Sequence, residues 1–485
     1  MRVVPRHLQR LVRSVALCQV VLAVLAIGAC TTGAKSESSS PNEGAVCPVP
    51  DQLVGTGETG VSDLPATMDD LHQAQLLIRG ARLIDGSGGD PVVGVDLLID
   101  ARGTIAAIEA SGTIDIPAGA EVIDVGGRSV LPGLIDAHTH LLSEPAGSYP
   151  ELVVRTRHEG EADRALRGAA NAWATLRAGF TTVRNVGGTL ADRALRHAII
   201  GGRLPGPRML IANFAIGITG GHCDLSNSIN PEKLSHDPDF REGIADGPDG
   251  VRRAVRYQIK QGADLIKVCA TGGVLSQGDG VGAPQLTPEE LRAIVDEANR
   301  AERKVAAHAH GNQGIRDAVE AGVHSIEHGS VLDRPTVAQM RRRGVFLVPT
   351  TYVGRVVEEA ANRGLLSPDS AEKAKAIAPK MRESFQLAYK SGVKIANGSD
   401  AGVFPHGDNA RELAEMVALG MTPKDAILAA TSRAAELLGL ADIGQLAVGF
   451  RGDLIVVDGD PLQDISVLEA PMLVVKDGRV YVREL

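Results

Sequence analysis

Between residues 138 and 400, six side chains able to bind a metal ion, or to be modified so that they can, each close or sit inside a short apolar run. His138 and His140 end Ser129-Val-Leu-Pro-Gly-Leu-Ile-Asp-Ala-His-Thr-His, Lys267 sits in Ala263-Asp-Leu-Ile-Lys-Val, and His308 ends Lys304-Val-Ala-Ala-His. His328 ends His324-Ser-Ile-Glu-His and Asp400 ends Lys394-Ile-Ala-Asn-Gly-Ser-Asp. Polar groups repeatedly placed at the C-terminal ends of buried strands are what a (β/α)8 barrel requires, because its loops carry the chemistry at that face.

The intervening chain agrees. Phe180–Arg184, Arg208–Ala212, Leu265–Val268, Val305–His308, His324–His328, Val345–Pro349 and Lys394–Ala396 read as strands. Amphipathic helices separate them, the clearest starting at Thr287, an expected N-cap with Pro288 at the first helical position and Glu290 completing a capping box. From Gln75 to Val125 and again from Asp453 to Val482 short apolar segments alternate with Gly and Asp turns. Two β blocks flanking the helical region suggest one small β-sandwich built from both ends. The expected organisation is a barrel over 132–440 and a composite sandwich of 76–131 with 441–485. Apolar residues make up 44% of the chain and aromatics only 3%, which suits barrel strands packed by branched aliphatics.

Arg2, Arg6, Arg10 and Arg13 precede the apolar stretch Val15–Ile27, which is too short for an ordinary spanning helix and reads as an export signal over 1–29. It ends Ile27-Gly28-Ala29-Cys30, similar to a bacterial lipobox. The expected mature protein is tethered by a lipid on Cys30, lies on the periplasmic side of the cell envelope, and starts with a Ser- and Thr-rich tether within 30–75. Removing the signal leaves 46 basic against 59 acidic side chains, a balance of about −13 instead of −9. Such a surface lacks the basic footprint of a nucleic-acid binder. Cys47, Cys223 and Cys269 remain in the mature body. Nothing in their spacing fixes a pairing, and Cys269 reads as a small packed residue.

His138 and His140 project the same way from one strand, so both can grip one ion. Taken with Thr219-Gly-Gly-His, Ile266-Lys-Val, His308-Ala-His-Gly, Ile326-Glu-His-Gly and Gly398-Ser-Asp-Ala-Gly, the constellation resembles the amidohydrolase superfamily. The likeness is greatest to its imidazolonepropionase-related branch, which includes Xaa-Arg, Xaa-Lys and Xaa-Pro dipeptidases and ochratoxin-degrading enzymes. The resemblance covers about Leu76 to Val482. It implies two divalent ions, most simply zinc, bridged by a carbamate on Lys267. His138, His140 and Asp400 would hold the buried ion, His308 and His328 the outer one. Alternation alone does not separate His308 from His310; the resemblance makes His308 the ligand and His310 a substrate contact.

The implied reaction is hydrolysis of a dipeptide or N-acyl amino acid by a metal-bridging hydroxide, with Asp400 shuttling the proton and His222 polarising the carbonyl. Arg316, Tyr352 and His406, each just after a barrel strand, are further substrate-binding candidates. The branch commonly forms homo-oligomers, which implies one here. Gly-x-Ser-x-Gly, His-Glu-x-x-His and phosphate-loop motifs are missing from the sequence, which removes the corresponding chemistries. Two other readings stand beside the main one, a cyclic-amide hydrolase of the imidazolonepropionase type and a non-catalytic metal- or solute-binding lipoprotein.

Overall fold

In the computed structural model, residues 75–146, 151, 154–155, 158–227 and 229–485 are described, all within one unit, Pro65–Leu485. The export signal, Cys30, the tether and Cys47 lie outside the described residues. Five short strands come first: β1 (Leu76–Leu83), β2 (Val92–Ile99), β3 (Ile105–Ala110), β4 (Glu121–Asp124) and β5 (Ser129–Pro132).

Strands and helices then alternate: β6 (Leu134–Thr139), α1 (Glu161–Arg177), β7 (Phe180–Asn185), α2 (Ala191–Ile200), β8 (Arg208–Ile211), α3 (Gly247–Lys260), β9 (Leu265–Cys269), α4 (Pro288–Arg300), β10 (Lys304–Ala309), α5 (Asn312–Ala321), β11 (Ser325–His328), α6 (Arg334–Arg343) and β12 (Phe346–Val348). A helical pair, α7 (Thr351–Asn362) and α8 (Pro368–Lys390), is followed by α9 (Arg411–Ala418), α10 (Pro423–Ala429) and α11 (Ser432–Leu438). The chain closes with β13 (Leu454–Val457), β14 (Leu473–Lys476) and β15 (Arg479–Arg483). No helix among the described residues is long and apolar enough to cross a membrane.

Both β blocks enter a single eight-stranded sheet in the order β15-β14-β13-β5-β1-β2-β3, with β4 pairing to β1. The junction is β5 against β13, antiparallel, with Leu131 opposite Ile455. Leu76, Ile78, Leu97, Leu454, Val456 and Val475, drawn from both ends, share one buried cluster. A sheet made this way exists only when both ends are present.

The strands of the alternating region pair in parallel as β6-β7-β8 and β9-β10-β11-β12. Isolated parallel bridges also occur, Ile216 with Val268, Leu347 with Ile395 and Thr139 with Ala401. All residues of β6, β7, β9, β11 and β12 are buried, as expected of parallel strands covered on both faces. The expected strand Lys394–Ala396 is reduced to a single bridge. The segment still exchanges backbone bonds with Leu347 and, through the Asn397 carbonyl, with Ala137 N, while Asn397 Nδ2 donates to the Ile135 carbonyl and Asn397 N to that of Ala429. The capping box is present: Thr287 Oγ1 accepts from Glu290 N at 3.2 Å and Glu290 Oε2 from Thr287 N at 2.8 Å.

Candidate metal centre

Each strand delivers its polar group at the same end. His138 lies in β6 and His140 just past it, Lys267 in β9, His308 in β10 with His310 just past it, and His328 ends β11. Asp400 follows the segment 394–398. A Cβ on Gly398 would stand 2.2 Å from Val348 Cγ1 and 2.8 Å from His138 Cβ, so only glycine allows this approach. The side chains form two groups, His138 with His140 and Asp400, and His308 with His310 and His328, with the candidate ligand atoms of each lying within 4.8 Å of one another. The groups adjoin, since the His138 and His328 rings are 5.0 Å apart. Lys267 lines the same cavity of about 720 Å³.

Partners behind the imidazoles fix which nitrogen faces the centre. His138 Nδ1 donates to Glu327 Oε2 at 2.8 Å and His140 Nδ1 to the Gly187 carbonyl at 2.9 Å. His328 Nδ1 pairs with Thr350 Oγ1 at 2.8 Å and His310 Nδ1 with Ser330 Oγ at 2.7 Å. In each case Nε2 is left for the cavity, the arrangement found around metal-ligating histidines. His140 Nε2 lies 3.2 Å from Asp400 Oδ1. His308 Nε2 is buried with no hydrogen-bond partner among the described residues. An unpaired buried nitrogen beside two nitrogens directed alike suits a metal ion better than it suits bare protein. Backbone strain collects here too. Asp400 (φ 64°), His328 (φ 69°) and Thr350 (φ 48°) adopt the left-handed conformation, which side-chain-bearing residues hold only where their surroundings enforce it.

Glu327 is buried between His138 and Arg184, whose Nη2 donates to Glu327 Oε1 at 2.8 Å. Burial opposes its ionisation, but Arg184 and His138 overcome this and hold the carboxyl at about 2. Burial likewise opposes ionisation of Asp400, and the surrounding His138, His140 and His328 keep it far below the carboxylate range. Burial pushes Lys267 down to about 8, with Glu327 and Asp400 limiting the fall. No carboxylate lies within ion-pair distance of its ammonium among the described residues.

Burial holds His138 and His222 at about 4 and His310 at about 3. Each is therefore uncharged at pH 7. Because an unfolded histidine takes a proton near 6.5 and these folded ones do not, acid favours the unfolded chain. The thermal midpoint of the metal-free protein should fall slightly from pH 8 to 7, as Lys267 takes its proton, and fall further as pH drops from about 6.5 towards 4. A midpoint unchanged at pH 5 would mean that these rings protonate freely in the folded state. Glu327 acts only lower, between its ordinary 4.5 and about 2.

The amidohydrolase family model matches residues 129–481. This chain belongs to that family. Ochratoxinase of Aspergillus niger is 36% identical over 370 residues, covering 73% of this chain and 75% of that one. Imidazolonepropionase of Deinococcus radiodurans is 27% identical over 382 residues, covering 72% of this chain and 82% of that one. A solved Xaa-Pro dipeptidase with methionine bound in its active site superposes with a TM-score of 0.80 at 38% identity, over 84% of this chain and 100% of that chain. The protein is thus an amidohydrolase-type hydrolase related to ochratoxinase and to prolidase-like dipeptidases, in a family that is generally metal-dependent.

The amidohydrolase cavity takes in some of the substrate-binding candidates and not others. His310 and His222 line it, and the His222 ring stacks on His308 at 4.1 Å. Arg316, Tyr352 and His406 are not among its lining residues. Arg316 is turned to the start of α6, ion-paired with Asp333 and donating to Thr336 Oγ1. Tyr352 precedes Val353 and Gly354, which do line the cavity, but its own direction on α7 takes it onto Phe404, with its hydroxyl accepting from Arg411 at 3.1 Å. His406 bonds Thr175 Oγ1 and the Ser143 carbonyl.

The cysteines require a correction. Cys269 is no isolated packed residue; it is paired with Cys223, at a Cα–Cα distance of 6.1 Å. Residues unnoticed in the sequence include Arg184, Thr350 and Ser330. Glu327 and Asp136 stood inside quoted motifs without a role. Asp136 takes bonds from the His138 and Ser399 backbones and from the Asn409 amide, joining the two ligand-bearing turns.

Proposed function

We propose that this protein is a binuclear metal-dependent amidohydrolase that cleaves dipeptides or N-acyl amino acids whose amide adjoins a bulky apolar group, ochratoxin-like amides included. The observation carrying this reading is the adjacency of the two ligand groups around a buried, unpaired Lys267. As a neutral amine, Lys267 could take up carbon dioxide with release of a proton, and the resulting carbamate would serve the two groups as a shared ligand. His138, His140 and Asp400 would hold the inner ion, His308 and His328 the outer one, with zinc suited to this nitrogen and oxygen set. Bound divalent ions supply a hydroxide near neutral pH and an electrophile for the amide carbonyl.

The chain's own groups do the rest. Asp400, kept ionised, would accept the proton of the attacking hydroxide and hand it to the leaving nitrogen. His222, whose Nδ1 has no partner among the described residues, donates to the amide oxygen as charge grows there. His310 orients the substrate beside it.

The apolar wall supports the substrate class. Leu142, Phe214, Val274, Leu275, Val357 and Met381 line a volume that exceeds a simple dipeptide. A Cβ on Gly354 would meet Met381 Sδ at 2.7 Å, so the wall is set where α7 touches α8. Gly354→Ala should drive Met381 into the cavity and lower kcat/KM for the bulkiest accepted amide about tenfold, while sparing small dipeptides. Steady-state rates on a size series check this, and an equal loss for all sizes would count against the wall.

The fold supports the same reading. We take the parallel pairings and bridges as a (β/α)8 barrel over 132–440 and the eight-stranded sheet as the composite β-sandwich. Export and lipid attachment at Cys30 complete the proposal, and the disulfide is in keeping with an oxidising compartment. The deciding experiment incubates the zinc-loaded chain begun after Cys30 with pooled dipeptides and N-acyl amino acids and follows released amino acids by mass spectrometry. No release from a preparation with two metals bound would overturn the dipeptide and N-acyl amino acid reading in favour of a cyclic-amide hydrolase or a binding protein.

A further inference from the structure

His222 is fastened from several sides although it belongs to no strand. The residue after it, Cys223, is bonded to Cys269, two positions beyond Lys267 on β9. The loop, which follows β8, is joined to β9 by two backbone bonds, Ile216 N to the Lys267 carbonyl at 2.8 Å and Cys269 N to the Ile216 carbonyl at 2.9 Å. Its own backbone N–H is held by Gln285 Oε1 at 2.9 Å, and Gln285 Nε2 donates to Asp279 Oδ2 at 3.1 Å. Asp279 in turn pairs with Lys373 of α8 at 3.0 Å, an ion pair whose side chains are 7% and 8% exposed. The ring stacks on His308 and approaches Gly273 so closely that a Cβ there would stand 2.2 Å from His222 Cε1.

All this holds in place an imidazole whose Nδ1 is buried without a partner. Left to itself, such a ring gains by turning out to water, because an unmet buried donor or acceptor is costly. We infer that the Cys223–Cys269 disulfide and Gln285 are positioning elements for His222: they act on the reaction through that ring and keep it over the centre in the absence of substrate. This rests on the reading of His222 as donor to the amide oxygen. The disulfide is a particularly direct tether, since it links the donor's neighbour to the strand that carries Lys267, so the donor and the metal-bridging residue move together.

The test compares full-length, metal-loaded protein with Cys223→Ser/Cys269→Ser, Gln285→Met and His222→Ala, alone and combined. Expected are a roughly tenfold lower kcat for the double serine variant with KM within about twofold, two metals retained by mass spectrometry, and less than about a twofold further effect when it is added to His222→Ala. Effects that multiply instead, or a double serine variant with unchanged kcat, overturn the inference. So does a His222→Ala enzyme as active as the parent, which leaves amide hydrolysis itself standing. Should the double serine variant fold poorly, Gln285→Met carries the same comparison.

Hydrogen exchange over 217–227 supplies a readout independent of substrate. Faster exchange in the double serine variant is expected, and unchanged protection overturns the positioning role even if no amide is cleaved.

Discussion

Lys267→Ala should lower turnover of any accepted amide by at least about a thousandfold, a loss on the order of 4 kcal/mol of transition-state stabilisation, and should lower metal content from two equivalents towards one. Alanine leaves no amine to carry a bridging carbamate. The two histidine groups survive, so each is left with a poorer set of donors. Because the lysine is buried and unpaired, its removal breaks no ion pair, and the thermal midpoint of the metal-free protein should change little. That combination separates a role in the centre from a role in the fold. Metal analysis by plasma mass spectrometry alongside calorimetry checks it; two tightly held ions in the variant would eliminate the carbamate bridge.

Loss of Glu327 should act in the opposite proportion, on stability first. Its carboxylate is fully buried and receives Arg184 on one oxygen and His138 on the other. Glu327→Ala leaves the Arg184 guanidinium, itself 3% exposed, without its charge partner, and breaking such a pair costs about 3–5 kcal/mol. It also frees the His138 ring to rotate, which weakens metal binding by roughly ten- to a hundredfold. Glu327→Gln keeps the shape and loses the charge, so its effects should fall between. Urea unfolding of the metal-free forms and competition against a chelator for the loaded ones measure the two effects separately. A Glu327→Ala protein as stable as the parent would show that Arg184 finds another partner.

The frame of this site was legible because local patterns carry it. Apolar runs of strand length ending in His, Lys or Asp are periodic features of the sequence itself, and all the expected strands up to Val345–Pro349 appear with shifts of one or two residues. The segment at Lys394–Ala396 was overread as a strand, since nothing in the composition reveals that Gly398 must press against Val348 and His138. Contacts across strands were equally hidden. Arg184 ends an ordinary-looking Thr-Thr-Val-Arg run, and its partner Glu327 is distant in sequence. Cys223 and Cys269 are 46 positions apart with no spacing rule to join them. Tyr352 and Arg316 do not line the cavity for another reason: being just after a strand sets the neighbourhood of a helical residue, whereas its phase on the helix decides which way it faces.

The pairing of β5 with β13 makes a demand on the order of events during biosynthesis. A nascent chain emerges from its N-terminus, so Pro132 is exposed long before Leu454 is made, an interval on the order of half a minute at ordinary translation rates. Through that time the edge of β5 lies open, with Val130 and Leu131 available to any other extended segment. Completing the sheet therefore joins segments more than 320 positions apart, a closure slow for its long separation.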